Sequence, residues 1–427
     1  MFDTQSFVLK GDICFSTDPQ TLKTIPDGYL VCLDGRCAGA FSQLPGQYQN
    51  LPLLDCAGKL IVPGLVDLHV HAPQYSYRAL GMDLELLEWL ETHTFPEESK
   101  YRDVAYARKM YPRFVEDLVK GPNTRACIFA TVHNDATLHL MDLLEDSGLC
   151  TMVGKVNMDR NSPDSLREAD AQASLDATRD WLGRLAGRYQ RTKPILTPRF
   201  VPSCTDELMQ GLGQIQKEYH LPVQSHLSEN PSEIAWVQEL CPQSRFYGDA
   251  YRMFGLFGGA DCPTIMAHCV YSSDEEVELM KQQGVFIAHC PASNTNLASG
   301  IAPVRRYLTE GIPTGLGSDV AGGTHTSIFR TMADAIQVSK LRWRLQDNSL
   351  APLTAAEAFY LGTLGGGAFF GKVGTFLTEY DFDALVIDDS RYTPQGSRSI
   401  PERLERTLYL SDDRDLKHKF AAGRQLF

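Results

Sequence analysis

The stretch "IVPGLVDLHVHAPQY", Ile61 to Tyr75, decides how the chain is read. An apolar run ends in two histidines with one residue between them. Ala72-Pro73 then stops it. In an extended segment residues i and i+2 point the same way. His69 and His71 therefore leave the strand end on one side, where both imidazoles can reach one ion. The Ala72-Pro73 step ends the strand and turns Gln74 back over the same spot.

Short apolar runs alternate with longer amphipathic stretches from residue 61 on. The strand candidates are "LIVPGLVDLH" (60–69), "ACIFATV" (126–132), "TMVGKV" (151–156), "ILTPRF" (195–200), "PVQSHL" (222–227), "TIMAHC" (264–269), "VFIAHC" (285–290) and "PTGLGSD" (313–319). Helices fit between them, for example Ser165–Tyr189 and Glu207–Tyr219. Eight strand-then-helix units predict an α/β chain folded as a (β/α)8 TIM-like barrel. Before about residue 60, and again after about 371, short strands are broken by Asp and Gly turns. The expected division is 1–62, 63–370 and 371–427. The first and last pieces together form a small β-sandwich domain beside the barrel.

Composition narrows the function classes. The 427 residues are 43% hydrophobic and 22% charged, ordinary globular usage. Forty Lys and Arg against 53 Asp and Glu give a net charge of −13, which argues against nucleic acid or an anionic membrane as partner. The first residues show no basic then apolar segment, and no apolar run approaches the length of a membrane span. The 11 cysteines are odd in number and lack a Cys-x-x-Cys pair, which fits reduced thiols in the cytoplasm.

Chemistry in such a barrel sits at the C-terminal ends of the strands. His69 and His71 close the first strand, His226 the fifth, His268 the sixth and Asp319 the eighth. Imidazoles with one carboxylate form a set for zinc or iron, with a position left for water. His93, His139, His220, His325 and His418 close no strand. His133 and His289 lie near strand ends without a paired neighbour and read as structural or supporting groups. In "SHLSEN" (225–230) Glu229 follows His226 by three residues, so a turn there puts a proton-carrying carboxylate at the site. A different zinc pattern, His-x-Glu with Pro-Cys-x-x-Cys, is absent.

This order of strand-end ligands resembles the amidohydrolase superfamily. The resemblance implies a metal at the barrel mouth and the small β-domain built from both termini. Some members bridge two metals with a modified lysine at the end of the fourth strand. Here that strand ends "TPRF", and Lys155 ends the third, so a single metal is expected. The implied reaction is hydrolytic deamination of an amidine-like ring carbon. Asp319 accepts a proton from water, Glu229 protonates the adjacent ring nitrogen, and His268 hydrogen-bonds the attacking oxygen.

Three further residues suit a flat heterocycle with a carbonyl. Gln74 offers a donor and an acceptor, Arg199 a donor fork and Phe200 a stacking face. With these, "PGLVDLHVHAPQYSY", "LLEWLETHTFPEE", "TPRF", "QSHLSEN", "MAHCVY", "IAHCPASN", "GLGSDVAGG" and "LYLSDDRD" are similar to the guanine deaminase family, from about residue 55 to the C-terminus. That resemblance implies one Zn2+ on His69, His71, His226 and Asp319. It implies a purine base held by Gln74, Arg199, Phe200 and Glu229, bordered by His226 and Asp319. Fe2+ or Mn2+ would be accepted by the same donors. A homodimer is implied as well. The competing readings are deamination or ring opening of another heterocycle, such as 8-oxoguanine or a pterin, and a barrel kept only for assembly.

Overall fold

Gly64 separates two strands that the sequence reads as one. In the computed structural model, which describes residues 6–394, 396 and 398–427, β4 (Leu53–Pro63) ends just before it and β5 (Leu65–His71) begins just after it. The side chain of Thr124 lies where a Cβ at position 64 would go, so only glycine lets the chain pass. The Gly64 N–H is held by Asp383 O at 3.1 Å. The apolar run thus serves two sheets in turn.

The first sheet collects strands from both ends of the chain. These are β1 (Phe7–Ser16), β2 (Leu22–Leu33), β3 (Arg36–Phe41) and β4 from the N-terminal side. In the chain order used throughout, β15 (Ala384–Ile387), β16 (Leu416–Ala421) and β17 (Arg424–Gln425) come from the C-terminal side. They form one seven-stranded sheet in the order β17-β16-β15-β4-β1-β2-β3. Alternation along β4 and β15 gives it two apolar faces. Leu60, Val62, Leu385 and Ile387 pack toward helices Ile328–Leu345 and Ile400–Leu410. Ile61, Ala384 and Val386 face Phe7, Phe376, Phe382 and Phe420. The Phe7 and Phe420 rings are 5.0 Å apart, although their strands are three steps apart in the sheet. Flat strands would separate them by about 14 Å, so the sheet curls over its own aromatic core.

The second set is the barrel. β5 is followed by β6 (Asn123–Phe129), β7 (Cys150–Gly154), β8 (Val156–Asn157), β9 (Thr192–Pro194), β10 (Thr197–Pro198), β11 (Val223–Leu227), β12 (Thr264–His268), β13 (Phe286–His289) and β14 (Thr314–Leu316). β8 and β10 are short continuations of β7 and β9, so the eight expected strands are all present. Parallel ladders run β5-β6-β7-β9 and β11-β12-β13-β14, joined by a Leu196–Val223 bridge. The ring closes where β14 meets β5. There Asp319 N donates to His69 O at 2.8 Å and His71 N to Val320 O at 3.1 Å. The parallel strands thus close a TIM-like barrel with mixed α and β content.

Two expectations shift. The helix expected over Ser165–Tyr189 runs Ala171–Leu185, started by Asp170 accepting from Ala173 N. "LYLSDDRD" was expected among the C-terminal strands, but its first residues end the helix Ile400–Leu410. A Ser399/Glu402 capping box and Pro401 in the first turn start that helix.

Candidate active site

His71 is the last residue of β5, and Ala72–Tyr77 then coils into a 3-10 turn. The turn carries Gln74 back over the barrel mouth, as the Ala-Pro step requires. His226 lies in β11, His268 ends β12 and Asp319 follows β14. His268 and Asp319 have φ of +75° and +46°. His and Asp tolerate this left-handed region better than most residues, and Ser228, at +48°, turns the chain so that Glu229 faces the same cluster.

The ligand-type atoms converge. His69 Nε2 is 3.2 Å from His71 Nε2, which is 3.3 Å from His226 Nε2. Asp319 Oδ1 is 3.2 Å from His69 Nε2 and 3.4 Å from His71 Nε2. Burial lowers the pKa of all three imidazoles, against the pull of Asp319, which keeps them neutral with lone pairs free. His226 Nδ1–H donates to Arg199 O at 2.6 Å, so its Nε2 carries no hydrogen. Phe129 packs against the rings of His69, His71 and His226. Separations of 3.2–3.4 Å are those expected between donors about 2.0 Å from one ion, the ordinary Zn–N distance, and His69, His71 and Asp319 form one such group with His226 beside it.

His268 and Glu229 border this cluster. His268 Nε2 is 3.3 Å from Glu229 Oε2 and 3.8 Å from Asp319 Oδ2. Its Nδ1–H donates to Asn294 Oδ1 at 2.8 Å. Burial alone would lower the His268 pKa, but Glu229 and Asp319 more than offset it, and the pKa is raised. Burial lifts Glu229 from its ordinary 4.5 to about 7, with Glu233 and Asp319 adding to the rise. Ser299 Oγ donates to its other oxygen, Oε1, at 2.9 Å. Asp319 is also penalised by burial, but His69, His268 and His71 hold it far below the carboxylate range.

A pocket opens onto these groups. His71, His226, Glu229, His268 and Asp319 form its floor, Leu86, Trp89, Leu90, Phe200 and Leu297 its apolar walls, and Gln74, Arg199 and Glu233 its remaining polar lining. An apolar slot with a few convergent polar groups suits a flat polar ring. The structure therefore brings together all nine residues singled out in the sequence. His133 and His289 line no part of it.

Sequence reading missed several partners. Glu98, at the far end of "LLEWLETHTFPEE", accepts from Gln74 Nε2 at 2.8 Å and from Arg199 Nη1 at 2.5 Å. Arg199 is thus both salt-bridged and pocket-lining. Asp67, two residues before His69, accepts from His69 N at 3.1 Å, Ser318 N at 3.0 Å and the Ser318 hydroxyl. Its signal was available, since Asp67, His69 and His71 share one face of a strand. Glu233 accepts from Glu229 N at 3.1 Å and from Tyr247 OH at 2.8 Å.

Known proteins can now be set beside this geometry. The pattern described as "Amidohydrolase family" matches residues 60–426. The chain belongs to the amidohydrolase family. Among amidohydrolases it is 40% identical over 382 residues to the guanine deaminase of Dictyostelium discoideum, covering 88% of this chain and 84% of that protein. It is 34% identical over 419 residues to the guanine deaminase of Escherichia coli (strain K12), covering 95% and 92%. A crystal structure of guanine deaminase from C. acetobutylicum, with guanine bound in its active site, is 47% identical with a TM-score of 0.96, covering 99% of this chain and 100% of that one. Within the amidohydrolases the chain groups with the guanine deaminases.

Proposed function

We infer that this amidohydrolase is a guanine deaminase, which converts guanine and water to xanthine and ammonia. The observation that carries the reading is the placement of Glu229. A carboxyl poised near neutrality stands 3.3 Å from His268, between a metal-type donor cluster and a pocket lined by Gln74 and Arg199. The named relatives support the same substrate.

His69, His71, His226 and Asp319 would hold one Zn2+, and Fe2+ or Mn2+ would suit the same donors. When bound, such an ion supplies Lewis acidity that makes water nucleophilic near neutral pH. Gln74 and Arg199 hold the polar edge of the base, and Phe200 covers one face. Asp319 accepts the proton released from water. Glu229 Oε2 delivers a proton to the ring nitrogen beside the reacting carbon, so negative charge does not build up there. His268 Nε2–H donates to the oxygen that forms on that carbon. The C–N bond then breaks: the proton held by Asp319 passes to the departing amine, which leaves as ammonia, and the hydroxyl proton released as the new carbonyl forms returns to Glu229. Leu86, Trp89, Leu90 and Leu297 keep bulk water away from these transfers.

The same reading divides the chain into a barrel, 63–370, and a small β-domain from 1–62 and 371–427. It also takes the protein as a cytoplasmic homodimer. Sedimentation equilibrium tests the dimer, and elemental analysis of purified protein tests the metal. All 11 cysteines are buried. Among the described residues no helix is long and apolar enough to cross a membrane.

The test of function is ammonia release and ultraviolet change with guanine, beside 8-oxoguanine, adenine and cytosine. Selective conversion of guanine to xanthine is expected. Turnover only of another amine would remove Gln74, Arg199 and Phe200 from base recognition. Metal-loaded protein silent on every substrate would refute deamination.

A further inference from the structure

The "TFPEE" segment has no task in the mechanism, yet it holds two side chains that line the pocket, Gln74 and Arg199. Phe95 and Glu98 lie on one short helix, Phe95–Ser99. The Arg199 guanidinium sits over the Phe95 ring at 5.3 Å. Glu98 Oε2 accepts from Arg199 Nη1 at 2.5 Å, while Oε1 accepts from Arg199 Nη2 at 3.1 Å and from Gln74 Nε2 at 2.8 Å. All three polar side chains are buried, with Glu98 1%, Gln74 2% and Arg199 3% exposed.

The far end of the Gln74 amide is fixed too. Its Oε1 accepts from Ala321 N at 3.1 Å. A flipped amide would aim N–H at that N–H, and oxygen at a carboxylate. The network therefore permits one orientation. Arg199 keeps the N–H groups that Glu98 does not use, and Gln74 keeps the second hydrogen on Nε2. The polar edge left for a ligand is dominated by donors. It complements the 6-oxygen and ring-nitrogen acceptors of an oxopurine. A 6-amino group would meet donor against donor.

We propose that Glu98 is the specificity-determining positioning residue of this pocket: by holding Arg199 and the Gln74 amide in one orientation, it selects 6-oxopurines over 6-aminopurines. The proposal rests on the reading of Gln74 and Arg199 as the groups that hold the base. Glu98 acts through them and need not touch the substrate.

The test compares guanine with 2,6-diaminopurine. Both carry the 2-amino group to be removed, and they differ at position 6. The ratio of their kcat/KM values, measured on one preparation, cancels the active fraction. In E98Q an amide N–H₂ replaces one acceptor oxygen, and Gln74 or Arg199 must turn. Guanine kcat/KM is expected to fall about 10- to 150-fold, the scale of one charged hydrogen bond. That for 2,6-diaminopurine should change less than about threefold, so the preference collapses. E98D, which keeps the carboxylate, should restore most of the preference. Metal content should match wild type in both. A buried counter-ion with no role in selection would lower both substrates by one factor, and that result would overturn the proposal. If E98Q is not recovered folded, Glu98→Met, of similar length and without charge, carries the test. A narrowed ratio supports the proposal and an unchanged one overturns it. Wild type that turns over guanine with selectivity untouched by these variants defeats this proposal alone. Wild type active only on 2,6-diaminopurine defeats both it and the functional reading.

Discussion

Asp67 should matter through its two acceptor oxygens and little through its charge. The side chain is fully buried at the seam where β14 meets β5. Its Oδ1 takes two backbone N–H groups, from His69 and Ser318, and its Oδ2 takes the Ser318 hydroxyl. Asp67→Ala strands three buried donors. At about 1–3 kcal/mol for each orphaned group, the cost is roughly 3–6 kcal/mol after partial relaxation. It also loosens two chain segments that each carry a ligand, His69 and Asp319. Loss of such a support typically weakens metal affinity about 10- to 100-fold. Asp67→Asn keeps Oδ1 for both N–H groups. Its Nδ2 can donate to the Ser318 hydroxyl once that hydroxyl turns, so its cost should stay under about 1 kcal/mol. The assay is the denaturant midpoint of metal-loaded protein, with chelator competition for the ion. Expected is a large drop for Ala and a small one for Asn in both readouts. An Asn variant as damaged as Ala would show that the charge matters and would refute this reasoning.

Four other outcomes are expected. Glu229→Gln should retain the metal and lose about 10²–10⁴ in kcat, measured by ammonia release; normal turnover would exclude Glu229 from proton transfer. The raised Glu229 pKa has a stability signature in metal-free protein. The fold keeps this carboxyl protonated up to about 7, whereas the unfolded chain ionises it from 4.5. The stability it contributes below 4.5 is therefore lost as pH rises through 7, and Glu229→Gln should gain up to about 3 kcal/mol on wild type across that window. Parallel pH curves would contradict the shift. Arg199→Ala should raise the KM for guanine and also destabilise, because Glu98 is left buried and unpaired, by about 3–5 kcal/mol. Arg199→Ala with Glu98→Ala should recover part of the stability and none of the affinity, and a double variant no more stable than the single would argue against the pair. Lys419→Met should loosen the small sheet from the barrel. Lys419 Nζ donates to Leu118 O at 2.7 Å, Gly121 O at 2.8 Å and Val119 O at 3.2 Å, closing the end of the helix Val104–Lys120. Faster limited proteolysis after residue 371 is the expected readout, and an unchanged digestion pattern would count against it.

What the sequence revealed follows from what is local in it. His69 and His71 declare themselves by a two-residue period, and His226, His268 and Asp319 by closing short apolar runs. Those signals need only strand geometry and metal chemistry. Glu98 was not legible as a site residue because its partners Gln74 and Arg199 are 24 and 101 residues away. Asp67 and Ser318 are 251 residues apart, and only barrel closure brings them together. Arg199 shows the cost of this blindness. Read alone it offered a donor fork, and the fold pairs that fork with Glu98. The break at Gly64 was hidden for a different reason. Both halves of "LIVPGLVDLHVH" are buried strand, so the apolar pattern does not change where the sheet does.

The shared terminal sheet has a consequence during synthesis. β4 lies between β1, which precedes it, and β15, which is made about 320 residues later. At ordinary elongation rates of about 5–20 residues per second, the Leu60–Pro63 edge waits roughly 15–60 s for its partner. Throughout that interval the whole barrel can be made while an apolar strand edge stays open. Unpaired edges of this kind are where chains stick to one another. The nascent protein should therefore be most prone to aggregate, and most dependent on chaperones, after its barrel is complete and before its last strands emerge.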